Sequence, residues 1–255
     1  MLLRPRPRLR LARVVFPAPE RPLTPGEAAL AREIFGDSLD LSAVRITRDS
    51  WLSVGAPKGL RHTVYLKSGW GHFRGDGLSL TDHGVTVLMH ELVHVWQHQN
   101  GGHAYMGESL FAQAVAFARH RDRGKAYQWR RALEAGLPWE AWNPEQQAAA
   151  VERYAVAHLA ARTGRRRPAD AHVLTVLRPM IVELRAGRGA ARLSLAGGAA
   201  LGLGMAAVVG LAAWIGWSPV VAGLAAGLAG ALGGMVGSGL GTGRRVQAGV
   251  DRGRA

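Results

Sequence analysis

Two histidines four residues apart with a glutamate between them, His90, Glu91 and His94, stand in the stretch VLMHELVHVWQHQNGG at residues 87–102. On a helix, positions four apart project from one face, so His90 and His94 can hold one metal ion through imidazole nitrogens. Glu91, roughly 100° round the same helix, then stands beside the open coordination position. Its carboxylate can take a proton from water that zinc has made acidic. This is the HExxH arrangement of metallopeptidases. Uncharged residues fill the flanking positions, and two histidines with a glutamate on a buried helix are costly without a metal or other polar partners. The competing reading is a buried helix with a structural histidine pair. The chain has no cysteine, so a transition-metal site must be built from His, Asp and Glu.

A third ligand is required, and the longer metzincin pattern is absent, because Gln97 and Asn100 occupy its next positions. His98 lies two turns from His90, about 12 Å along the axis, too far to share its ion. His103 follows the helix stop and is a minor candidate. A glutamate on a second helix is the better source. Glu145 opens EQQAAAVERY, with small Ala148 three residues on to permit close helix packing; Glu152 lies two turns later on a similar face. Each also has a plain role, Glu145 as a first-turn acid favoured by the helix dipole and Glu152 as a solvated charge. Tyr127 and Tyr154 could donate to a developing oxyanion, or could simply pack. His62, His72 and His83 have no spacing that recommends them.

These residues need elements to position them. A helix is expected from LTPGEAALAREIFG, with Thr24 as cap, Pro25 in the first turn, Glu27 completing a capping box and Gly36 as stop. LSAVRITRDS and RHTVYLKSG read as strands, and the second is a plausible edge onto which an extended peptide could add. The HExxH helix should be capped by Thr81 or Asp82 and stopped at Gly101. Further helices are expected at about 108–121 and at 143–163, the latter capped by Asn143 with Pro144 in its first turn. PADAHVLTVLRPMIVELRAG reads as a last helix, kinked at Pro179.

The net charge is +14, but lysine occurs only at Lys58, Lys67 and Lys125. No interleaving of basic and aromatic residues accompanies the arginines, so no specific nucleic-acid partner is expected. Residues 1–21 read as a basic flexible arm without the apolar run of a secretory signal. From Leu193 the composition changes. Two uncharged stretches, divided by Ser218 and Pro219, are each long enough to cross a bilayer. Glycines at small-xxx-small spacing, such as Gly198 and Gly202 or Gly223 and Gly227, suit close helix packing and self-association. Trp214 and Trp217 lie at the turn, and arginines flank both ends. The expected organisation is a 1–21 arm, a catalytic domain over 22–190, a transmembrane helical hairpin over 191–243 in the lipid bilayer, and a 244–255 basic tail. Positive-inside logic puts the domain on the cytoplasmic side of the inner membrane.

The segments RPLTPGEAALAREIFGDSLDLSAVRI, MHELVHVWQHQNG, AYQW and NPEQQAAAVERY together resemble the small zincin-like bacterial proteins known as Vgr-related, and the metallopeptidase domain associated with extracellular contractile injection systems. The resemblance covers roughly residues 20–165. It implies an α+β fold, a minimal zincin, mainly helical with a small sheet, and a link to type VI or related contractile secretion, with a spike protein of the apparatus as partner. It supports His90, Glu91 and His94 and favours Glu145. Relatives often read EQQAE where this chain has Ala149, which weakens any claim for a second carboxylate near the metal. The hairpin is not part of the resemblance.

The expectation from all of this is a membrane-associated zinc peptidase acting on a peptide or protein substrate. His90, His94 and Glu145 hold Zn2+, and Glu91 is general base and then acid. The alternative is a secretion-linked membrane toxin or adaptor that works through the hairpin and uses the zincin fold only as a metal-stabilised module. Action in a target cell is compatible with either.

Overall fold

The computed structural model describes residues 20–50, 53 and 56–191. Within the unit that ends at Ala191, the described chain is mostly helical with one small mixed sheet. Its elements run β1 (Glu20–Arg21), α1 (Pro25–Phe35), β2 (Arg45–Arg48), β3 (Lys58–Leu60), β4 (Thr63–Leu66), α2 (Asp82–Gly101), α3 (Ala104–His120), α4 (Trp129–Glu134), α5 (Pro144–Arg162) and α6 (Pro168–Arg185). Short 3-10 turns punctuate them, one over Arg123–Tyr127 ahead of α4.

Local chemistry sets the helix starts. Thr24 Oγ1 accepts from the Glu27 N–H at 3.3 Å while the Glu27 carboxylate accepts from the Thr24 N–H at 2.8 Å, so two otherwise orphaned donors are satisfied reciprocally. Asn143 does the same for α5 with Gln146, and Pro144 fills the first turn where no N–H is needed. Thr81 caps α2, which runs through Gly101 and closes on Gly102. α3 starts at Ala104, earlier than its sequence suggests, and α6 continues past Pro179 to Arg185.

The sheet order is β1-β2-β4-β3, with β2 and β4 parallel and the outer pairs antiparallel. β4 therefore lies inside the sheet and is no edge for a peptide; the strand beyond it is β3. Ile46, Val64 and Leu66 bury one face of the sheet. They share the core with Ile34 and Phe35 of α1, Leu88, Leu92, Val95 and Trp96 of α2, and Leu177 and Leu184 of α6. Each such aliphatic side chain contributes about 1.5–3 kcal/mol when fully buried. α2 packs chiefly on α5, whose buried Ala148 and Ala155 leave room for close approach.

The expected transmembrane hairpin is corrected. Among the described residues no helix is long and apolar enough to cross a membrane. α2 has 20 residues, but His90, Glu91, His94 and Gln97 interrupt its apolar surface, and groups of that kind are costly in hydrocarbon. Residues 192–255, which include the 191–243 hairpin from its second residue on, lie outside the described residues, as does the basic arm through residue 19. Uncharged composition alone does not make a span.

Candidate metal centre

α2 presents His90 and His94 on the face it turns to α5, and α5 returns Glu145 from its first turn. One ligand atom from each of the three falls within 4.8 Å of the others, and all three residues are buried. His90 Nε2 lies 3.4 Å and His94 Nε2 3.6 Å from Glu145 Oε2. That oxygen is buried and has no hydrogen-bond partner. Two imidazole nitrogens converging on an unpartnered buried carboxylate oxygen form a nitrogen and oxygen donor set suited to a divalent transition metal.

The electrostatics point the same way. Burial works to lower the His90 pKa, but the Glu145 and Glu152 carboxylates outweigh it and hold it up at about 10. His94 is raised as well, with burial opposed by Glu145. For Glu145, burial is overcome by the two histidines, which hold its carboxyl far below the usual range. The carboxylate demands positive charge. A divalent cation meets that demand and leaves both imidazoles neutral, the state in which they ligate.

Each of the three side chains is held from behind. His90 Nδ1 bonds Glu152 Oε2 at 2.9 Å and His94 Nδ1 bonds Gln97 Oε1 at 2.8 Å. Ser109 and Gln113, one turn apart on α3, both donate to Glu145 Oε1, Gln113 at 2.8 Å. The ring of Tyr105 stacks on His94, with centroids 5.7 Å apart, and Tyr127 leans over His90 at 5.8 Å. Such outer contacts fix ligand orientation and tautomer.

Glu91 is buried beside the three. Burial lifts its carboxyl above the ordinary range, against the pull of His90 and His94, and a hydrogen bond from the Gly59 N–H lowers it again in part. Its Oε2 has no hydrogen-bond partner. Gly59, in β3, also accepts from the Tyr105 hydroxyl at 3.0 Å through its carbonyl. A Cβ at Gly59 would collide with the Glu91 carbonyl oxygen and crowd the His94 Cβ at 3.1 Å. β3 thus lies directly on the HExxH helix, and glycine is required by proximity.

The structure therefore brings His90, His94 and Glu145 together and places Glu91 beside them. Glu152 comes to the site from the outside, on His90 Nδ1, and His103 and His98 stay at the far end of α2, ring to ring at 4.6 Å. Tyr127 is at the site. Tyr154 instead stacks on His158. Ser109, Gln113, Gln147, Tyr105 and Gly59 carry no sequence signal that isolates them. Gln97 does, since it stands three residues after His94, within reach along one helix face.

The site is a two-histidine, one-glutamate group capable of holding a metal ion. No protein-family profile matches the chain, and no solved structure matches it. A curated relative is the type VI secretion system spike protein VgrG2b of Pseudomonas aeruginosa, 34% identical over 140 residues; these are 52% of this chain and 13% of the spike protein.

Proposed function

We propose that this chain is a zinc-dependent hydrolase, a metallopeptidase, that works with a type VI or related contractile secretion apparatus. The observation that carries the reading is the convergence of His90 Nε2, His94 Nε2 and Glu145 Oε2 beside an unpartnered Glu91 Oε2. The similarity to a type VI spike protein supports the link to secretion and makes a spike protein the partner of first choice.

When bound, zinc supplies Lewis acidity, which polarises a scissile carbonyl and lowers the pKa of water to about 7. The chain's own residues supply the proton traffic. Glu91 takes the proton of the attacking water on Oε2 and returns it to the leaving nitrogen, while the Gly59 N–H keeps the carboxylate from rotating away. Tyr127, whose hydroxyl is held protonated by burial, by the nearby Glu145 and Glu91 and by its own hydrogen bond to the Glu145 carboxylate, is the donor that the oxyanion would take over from that carboxylate. Tyr105 is not available, because its hydroxyl is committed to the Gly59 carbonyl.

The test is zinc content and peptide cleavage, read by mass spectrometry on a peptide library, for the full chain and for Glu91→Gln. The wild type should carry one zinc and cleave. Glu91→Gln should keep the zinc and lose about 10²–10⁴ in rate, the usual worth of a general base. Equal cleavage by both would refute the mechanism. Zinc uptake without cleavage of any peptide would leave a metal-stabilised module and no peptidase.

A further inference from the structure

We infer that Gln97 and Gln147 form a relay of positioning residues that fixes His94 in its ligating tautomer and ties it to the backbone at Gly189. The inference rests on the metal-binding reading of the site and goes beyond it to residues that never touch the ion.

The relay can be read from its far end, where the chemistry leaves no choice. Backbone carbonyls accept hydrogen bonds and never donate them. The side chain of Gln147 reaches two of them, Trp139 O at 3.0 Å and Gly189 O at 2.8 Å, so the amide nitrogen must face both. Its Oε1 is thereby turned the other way, toward Gln97. Gln97 Nε2 donates to that oxygen at 2.8 Å and to Pro144 O at 3.3 Å. With its nitrogen committed to two acceptors, Gln97 must aim its own Oε1 at His94 Nδ1, 2.8 Å away. An amide oxygen can only accept, so Nδ1 carries a proton and Nε2, beside Glu145, is the nitrogen left to ligate a metal.

The relay is sealed. Gln97 is 0% and Gln147 1% exposed, so water cannot substitute for a lost link. His90 is treated differently. Its Nδ1 is held by Glu152, a carboxylate whose side chain is 35% exposed, which adds charge and can be replaced by solvent. The amide chain orients His94 without placing another charge in a buried site.

The anchor is specific to its place. Gly189 has φ +83°, a conformation other residues seldom adopt, and a Cβ there would run into the Trp139 indole, with its Nε1 at 2.7 Å. Trp139 Nε1 in turn donates to Arg188 O at 3.1 Å. The turn after α6 is thus locked to the relay, although it lies nearly a hundred positions along the chain from His94.

The experiment measures zinc affinity by chelator competition, and thermal stability without metal, for the full chain and for Gln97→Met, Gln147→Met and Gly189→Ala. Zinc affinity should fall about 10–100-fold in Gln97→Met, the usual range for loss of a partner that orients a metal ligand. Smaller falls are expected in Gln147→Met and in Gly189→Ala, which touch no ligand. In the zinc-loaded wild type, nitrogen NMR should show a slowly exchanging Nδ1–H on His94, and Gln147→Met should speed its exchange. Variants that lose thermal stability yet bind zinc as tightly as the wild type would sink the relay, as would coordination of His94 through Nδ1. Should Gln97→Met not fold, the two remote variants and the wild-type spectrum decide the matter. A wild type that takes up no zinc would instead remove the metal reading, and the relay with it.

Discussion

Of the places along α2 where histidine rings meet, two contrast most. At its middle, His90 and His94 meet Glu145; at its C-terminal end His98 lies edge-on to His62 and His103, with ring centroids 5.2 and 4.6 Å away. Both groups are rings in close contact, and both include buried ring nitrogens or carboxylate oxygens without a hydrogen-bond partner. Their protonation runs in opposite directions. The carboxylates hold His90 up at about 10, whereas burial, followed by His103, His62 and Arg61, pushes His98 down to about 4. Among the described residues only the first group brings three ligand atoms together. A cluster of imidazoles is not a metal site in itself. The carboxylate delivered by a second helix makes the first group one that could hold a metal ion.

The comparison breaks most visibly if that carboxylate is removed. Glu145→Gln should weaken zinc binding by more than about 100-fold, beyond what loss of an outer partner does, whereas His98→Gln should leave it unchanged; chelator competition on both variants decides. Loss of zinc from His98→Gln would mean that the wrong cluster has been assigned.

β3 is the next lever. Gly59→Ala forces a Cβ into the Glu91 carbonyl oxygen, an overpacking that should cost about 1–3 kcal/mol and shift the urea midpoint. An unshifted midpoint would show that β3 does not press on the HExxH helix.

A milder effect is expected from Glu152→Ala. It removes the partner of His90 Nδ1 at a position that water can reach, so zinc affinity should drop about 10-fold, the low end for such contacts. A loss as large as that of Glu145→Gln would make Glu152 a ligand.

The smallest effect concerns pH and separates the two clusters directly. His98 has a folded pKa of about 4 against an ordinary 6.5, so the unfolded chain binds its proton more readily. His98 therefore costs nothing above about pH 6.5 and destabilises progressively as the pH falls toward 4. His98→Gln should flatten part of that acid-side slope, seen by comparing urea midpoints at about pH 4.5 and about pH 7 with the wild type. Parallel pH curves would contradict the burial of His98.

What the sequence determined by itself is local. The HExxH spacing, the Thr24 and Asn143 caps with their prolines, and the separation of His98 from His90 depend on a 3.6-residue turn and on hydrogen bonds three residues long. Composition beyond residue 193 was a weaker guide, because lack of charge describes a stretch of chain and not a structure. The tertiary structure alone decided the rest. Glu145 and Glu152 share a similar helical face, and only the packing of α5 on α2 puts one at the Nε2 atoms of His90 and His94 and the other behind His90. Only strand pairing makes β4 interior and lays Gly59 of β3 against Glu91. Only the closing of the turn after α6 links Gly189 through two buried amides to His94. These are contacts between residues far apart in the chain, fixed by packing and by the need of every buried polar group for a partner.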